Sequence, residues 1–200
     1  MMATTHALAG LLLGALSLFV APEFAPAAML AGFAGGVFPD LDLPGKHRKT
    51  LHFPVYYSVA AVPVLVLVIF VPTATSVALA IFLLAAALHS LTDMLGGGLE
   101  LRPWEGTSER AVYSHYHGRW LRPRRWVGYD GSPADLALAS VLAIPLFLFV
   151  EWSVIGPLVA GTLGISAVYT LVRKRLADID ENPAAFVPDS ALPYVPERYL

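Results

Sequence analysis

The stretch ATSVALAIFLLAAALHSLTDMLGGG, residues 74–98, decides the fold class. At ~1.5 Å per residue, Ala74 to Leu95 is long enough to cross the ~30 Å hydrocarbon core of a bilayer as one helix. Gly96-Gly97-Gly98 is expected to stop that helix as a left-handed C-cap. His89 and Asp93 stand i and i+4 on one face, within the last two turns, where ionisable groups are expensive unless paired or functional. One segment therefore predicts both a membrane helix and a site.

The rest of the chain has the same character. Of 200 residues, 56% are apolar and 14% charged, against about a quarter charged in an ordinary soluble domain. Pro54 to Pro72 is a second spanning candidate, separated from Ala74 only by a short turn. Upstream, about His6 to Ala21 and Ala25 to Pro39 are apolar. The first has no basic start, so although Ala25-Pro26-Ala27 could pass for a cleavage site, the segment is read as retained. The second would span only ~22 Å, and is expected to be tucked behind other helices or re-entrant. Gly10 and Gly14, and Gly32 and Gly36, give each a small-xxx-small face, which predicts a close helical hairpin.

Downstream, residues 99–131 are polar. A fifth segment, about Pro133 to Val150, opens with a capping Ser132, Pro133 at the first helical position and Asp135 in the first turn. A sixth covers about Ser153 to Val172. The expected fold is all-α, a polytopic bundle of five to six short transmembrane helices over 1–172, followed by a Pro-rich, acidic cytoplasmic tail, 173–200, extended over the surface.

Placing the N-terminus in the cytoplasm puts all thirteen Lys and Arg on the inner side: Lys46, Arg48, Lys49, Arg102, Arg110, Arg119, Arg122, Arg124, Arg125, Arg173, Lys174, Arg175 and Arg198. The positive-inside rule is met throughout. The expectation is a multi-pass protein of the inner, cytoplasmic membrane with both termini inside.

All six histidines also fall at this end. The chain has no cysteine, which excludes disulfides, thiolate metal sites and a cysteine nucleophile. There is no H-E-x-x-H, no G-x-S-x-G and no Walker phosphate loop. What remains is a set of imidazoles and carboxylates at four helix ends: His6, Asp40 and Asp42, His47 and His52, and His89 and Asp93. Such donors suit one or two divalent ions, zinc first and manganese or iron next. Two ions could acidify a bridging water and polarise a phosphoryl or carbonyl oxygen. Each piece also has a plainer reading, as an interhelical hydrogen-bonded pair, a solvated loop start or a helix cap.

The ordered set resembles the membrane-bound metal-dependent hydrolases, a family also described as LexA-binding inner-membrane hydrolases. The likeness rests on Thr5-His6, Pro39-Asp40-Leu41-Asp42, His47-Arg48 with Thr50 and His52, and His89-Ser90-Leu91-Thr92-Asp93 followed by glycine and Pro103-Trp104. It covers roughly residues 4 to 105. Leu51-His52-Phe53 departs from the family's usual Thr-His-Ser. The resemblance implies that His6, Asp40, Asp42, His47, His52, His89 and Asp93 are metal-site residues, with Asp42 and His52 the catalytic candidates. A fainter similarity to zinc-dependent phospholipases C hints at phosphoester chemistry.

In the polar stretch, Arg119, Arg122, Arg124 and Arg125 lie among Tyr and Trp. They are candidates to bind an anionic lipid or other phosphoester substrate, or to anchor the stretch at the membrane surface. His115 and His117 are further candidate ligands or acids. Charge alone would permit nucleic acid, but the patch is small and beside lipid, which argues against it. Two readings follow: a metal-dependent hydrolase at the cytoplasmic interface, or a membrane-anchored regulatory protein with a structural ion and a cytosolic partner. A transporter ranks third, because the outer halves of the helices are almost free of polar groups.

Overall fold

The computed structural model of the chain describes residues 1–179; the rest of the tail, with Arg198, lies outside the described residues. Six helices dominate: α1 (Ala3–Ala15), α2 (Ala25–Val37), α3 (Tyr56–Phe70), α4 (Ala74–Thr92), α5 (Pro133–Phe149) and α6 (Trp152–Ile179). Three helices, counted with their flanking 3-10 turns where present, are long and apolar enough to cross a membrane: Pro22–Asp42, Ala74–Leu95 and Ile155–Ala177. Ala3–Phe19, Tyr56–Phe70 and Pro133–Phe149 are apolar but shorter. The second segment is thus longer than expected. A 3-10 turn at Pro22–Phe24 and another at Phe38–Asp42 extend α2 to 21 residues.

Glycine determines how closely the first two helices approach. A Cβ on Gly10 would strike the Gly32 carbonyl, one on Gly14 the Ala28 carbonyl, and one on Gly36 the His6 carbonyl. The predicted hairpin is therefore present, with backbone against backbone. Gly35 presses on the Phe82 carbonyl and brings α4 against the same face of α2. On the other side of α1, Leu8, Leu11 and Ala15 pack with Ala139, Ala143 and Leu146 of α5 and with Val159 of α6. α3 buries only Ala61, and its Val59, Ile69 and Phe70 are exposed, as on a lipid-facing helix.

The ends of the helices differ from expectation in several places. Thr73 and Ser76 form a reciprocal capping box on α4. Ser132 caps α5 as expected, accepting from the Asp135 N–H, but Asp135 does more than face a helix dipole. Its buried carboxylate accepts from the Met2 N–H, the Thr5 hydroxyl and the Gly131 N–H, tying α5 to the start of α1. Gly96 is extended, with φ −87°, and does not form a left-handed cap. Its carbonyl and those of Met94 and Leu95 accept from the N–H groups of Arg125, Arg124 and Val127. The glycine run thus lets the polar stretch lie against the end of α4.

That stretch holds a short antiparallel hairpin, β1 (Val112–Ser114) and β2 (Arg119–Leu121), in the register Tyr113 opposite Trp120. The hairpin docks on the loop before α3, where the Tyr113 N–H donates to the Arg48 carbonyl at 2.9 Å. Finally, α6 continues as helix past Val172 to Ile179. Arg173 is buried there, its guanidinium 3.0 Å from the Asp130 carboxylate.

Candidate metal centre

α4 presents His89 on its last full turn and Asp93 at the start of the following 3-10 turn. α2 ends in the turn that carries Asp40 and Asp42, and the loop before α3 contributes His47 and His52. Four of these side chains meet. Asp40, His52, His89 and Asp93 each offer one donor atom, all within 4.8 Å of one another.

The orientation of both imidazoles follows from what lies behind them. His89 Nδ1 is 2.6 Å from the Gly36 carbonyl, which can only accept, so Nδ1 carries the proton and Nε2 the lone pair. His52 Nδ1 lies 3.0 Å from Asp42 Oδ2, and the same argument leaves its Nε2 bare. Asp93 Oδ1 accepts from His6 Nε2 at 3.0 Å and from the Met1 amino group at 3.2 Å, which leaves Oδ2 turned inward. His52 Nε2, His89 Nε2 and Asp93 Oδ2 are all buried without a hydrogen-bond partner among the described residues.

Buried polar atoms in that condition are rare and require a cause. A divalent ion fits the spacing. With ligand bonds of ~2.0–2.1 Å, the edge of a tetrahedron is ~3.3 Å. The distances from His52 Nε2 are 3.1 Å to Asp93 Oδ2 and 3.7 Å to Asp40 Oδ1; from His89 Nε2 they are 3.6 and 3.3 Å. Two imidazoles and two carboxylates suit zinc, manganese or iron. Without an ion, the same atoms would need a proton on His52 or His89 to hold them together.

The remaining predicted ligands surround this group. Asp42, with a fully buried side chain, accepts from His52, from His47 Nδ1 at 3.0 Å and from the Leu51 N–H at 3.1 Å. It is a backing carboxylate of the kind that orients a metal-binding histidine. His47 is held through that contact. His6 stacks on His89 with ring centroids 3.7 Å apart. Burial disfavours the charged form of His52, but its hydrogen bond to Asp42 and the nearby negative charge of Asp93 outweigh it and raise its pKa.

Asp40 is the open side of the centre, its side chain 19% exposed against 1% or less for the other three. It lines a cleft of about 390 Å³ whose polar wall also includes His47, Arg48 and Asp130. Asp130 is charged there: burial would raise its pKa, but Arg173 outweighs this and lowers it.

In the sequence Arg48 is a loop cation and part of the His47-Arg48 motif, with no role assigned, yet it is the guanidinium beside the site. It is buried, with a left-handed backbone (φ 59°), and its Nε is 3.6 Å from Asp93 Oδ2. Nη1 donates to the Gly97 and Ala111 carbonyls at 2.8 and 3.4 Å. Burial opposes its charge, but Asp93 outweighs this and raises its pKa.

The four arginines expected at the substrate stand elsewhere. Arg122 is 82% exposed and pairs with Glu109, and Arg125 holds the Gly106 and Ser108 carbonyls. Arg119 and Arg124 are exposed, and none of the four lines the cleft. His115 and His117 bind the Lys49 carbonyl and the Ser114 hydroxyl, outside the centre. Comparison with protein-family models, with characterised proteins and with solved structures finds no match.

Proposed function

We propose that this chain is a membrane-embedded, metal-dependent hydrolase, as the family resemblance suggests, acting on phosphoesters, with lipid phosphoesters its preferred class because a site at the cytoplasmic interface opens at headgroup depth. The three long apolar helices and the shorter ones packed among them support a bundle of five or six spans. The grouping of cations at one end supports an orientation with the centre at the cytoplasmic face of the inner membrane.

One observation carries the reading. Three buried, unpartnered donor atoms converge on a fourth ligand, Asp40, that faces a cleft. A bound divalent ion would supply Lewis acidity at a phosphoryl oxygen and acidify a water molecule. The protein's own part is to fix the ligands. Gly36 holds the His89 tautomer, Asp42 that of His52, and His6 turns Asp93 so that Oδ2 faces inward. Asp42, fully buried behind His52, acts in this reading by orienting rather than by touching substrate. His47, which lines the cleft, is assigned to protonating the leaving oxygen.

Metal analysis of the detergent-purified protein, beside a His89→Ala/Asp93→Ala double variant, tests the first half. Stoichiometric metal is expected in the parent and none in a still-helical variant. Absence from both after adding zinc or manganese would reduce the cluster to protonated ion pairs. Metal-loaded protein is then assayed on lipid and water-soluble phosphoesters. Burial of three ligands also suits a structural ion in a regulatory protein, and loaded protein that hydrolyses none of these substrates would favour that second reading.

A further inference from the structure

Two features near the cleft are not ligands of the metal centre. The first is the unsaturated guanidinium of Arg48. Its 3.6 Å approach to Asp93 is too long for a hydrogen bond, and its Nε has no partner among the described residues. Arginine rarely adopts a left-handed backbone unless the surroundings impose it. Here the Arg48 N–H donates to Asp42 and the Arg48 carbonyl accepts from Tyr113, so the side chain is fixed where it lines the cleft. A guanidinium held in this way suits an oxyanion with more than one acceptor oxygen.

The second feature is on α6. Gly161 and Gly164 cost the helix ~1 kcal/mol each relative to alanine. Unlike the glycines of α1 and α2, they permit no close contact among the described residues, where a Cβ on either would meet nothing within 4 Å. They form the floor of a surface groove with Val168 and Val172, inside the apolar span Ile155–Ala177. Ile165 and Tyr169 line both this groove and the cleft. The two therefore adjoin along α6: an apolar helix face ~12 Å long from Gly161 to Tyr169 runs up to the wall of the cleft that holds Arg48 and Asp40.

We infer that cleft and groove form one site for an anionic, single-chain amphiphile drawn from the bilayer, its acidic headgroup on Arg48 and its alkyl chain over Gly161 and Gly164. The Arg48 cation, beside Asp40 and Asp130, sits at one end of the path and the apolar surface at the other, so the headgroup's acidic oxygens must face Arg48. The inference deepens the hydrolase reading by naming its substrate class, and rests on that reading only for calling the ligand a substrate.

Binding of dodecyl phosphate and of inorganic phosphate to the protein as purified in a neutral maltoside detergent, followed by titration calorimetry, tests this. Metal content and oligomeric state are measured on every sample. Dodecyl phosphate is expected to bind at least tenfold more tightly than inorganic phosphate. Gly161→Leu/Gly164→Leu should abolish that preference without altering metal content, and Arg48→Gln should weaken both ligands at least tenfold. The groove variant decides the matter even if Arg48→Gln loses its metal or its fold. Unchanged dodecyl phosphate binding in the groove variant overturns the inference, and a shift in oligomeric state with binding unchanged would assign the groove to a second copy of α6. Tight binding without turnover sinks the hydrolase reading alone. Turnover of soluble phosphoesters with no preference for the alkyl chain sinks only this inference.

Discussion

Replacing Asp42 by asparagine separates an orienting role from a ligand role. In the parent, Oδ2 accepts from His52 Nδ1 and the Leu51 N–H, and Oδ1 from His47 Nδ1 and, at 3.4 Å, the Arg48 N–H. Asparagine keeps one acceptor oxygen and substitutes a donor for the other. If the NH2 faces His52, the imidazole must place its proton on Nε2, aimed at the ion. If it faces His47, the Arg48 N–H loses its acceptor while His52 keeps the right tautomer but a less basic partner. A bound ion would select the second orientation, which keeps all four ligand atoms unprotonated, so the metal should stay bound, more weakly. Loss of such a backing group typically costs 10–100-fold in affinity, about 1.4–2.8 kcal/mol. Competition with a fluorescent zinc chelator in detergent, with circular dichroism as the check on fold, gives the number. The reasoning is refuted by an unchanged affinity. It is refuted equally by a loss as complete as that of a folded His89→Ala variant, which would make Asp42 itself a ligand.

Three further substitutions examine the scaffold. Gly10→Val drives a side chain into the Gly32 carbonyl; it should destabilise by at least ~1–3 kcal/mol and lower metal occupancy, since His6 and Gly36 both ride on that helix pair. Thermal melts with metal analysis would show the two losses together. Asp130→Asn leaves the buried Arg173 guanidinium without its carboxylate, an expected cost of roughly 3–5 kcal/mol. Because the folded pKa of Asp130 is depressed, its contribution is complete above the ordinary carboxylate value of about 4 and drains away as pH falls below it. The parent should therefore lose more stability than the variant between pH 5 and pH 2, and parallel acid limbs in melts over that range would contradict the pairing. Arg122→Ala, at an exposed pair with Glu109, should change stability by less than about 1 kcal/mol and leave metal content as it was; a loss of metal would return this arginine to the site.

The sequence reveals those features that depend on local periodicity. The apolar run 74–95 reads directly as a helix, and the glycine spacing of residues 10, 14, 32 and 36 reads as a close helix pair because the motif and the contact are the same physical object. Ser132-Pro133 reads as a helix start for the same reason. What escapes is set by partners far along the chain. The tautomer of His89 depends on the Gly36 carbonyl 53 residues away, which no pattern of side chains encodes. Arg48 looks like any loop cation until the Gly97 and Ala111 carbonyls take hold of it. Residues 99–131 are polar by composition, yet their hairpin forms where backbone groups of the α4 terminus and of the loop before α3 supply the missing partners. Of the arginines at 119–125, which share the right chemistry, Arg119, Arg122 and Arg124 are exposed and Arg125 is taken up by the Gly106 and Ser108 carbonyls.

Two pairs of the centre, His89 with Asp93 and Asp40 with Asp42, show why spacing misleads unless the backbone is known. His89 and Asp93 are four apart at the end of an α-helix, where 3.6 residues per turn leaves them ~40° apart in azimuth, so both face the cluster. Asp40 and Asp42 offer a D-x-D, a weaker signal than His89 and Asp93, and on an extended strand they would share a face. They lie instead in a 3-10 turn, Phe38–Asp42. At three residues per turn, positions two apart diverge by ~120°. Asp40 therefore turns towards His89 and the cleft, while Asp42 turns behind His52. The same divergence forces a division of labour. One carboxylate can reach the ion and meet solvent, and the other can only support the ligand beside it. Asparagine at position 40 should then remove a donor and deplete the metal, while asparagine at 42 only weakens its hold. Equal losses at the two positions would mean that the turn unwinds to bring both carboxylates onto one face when the ion binds.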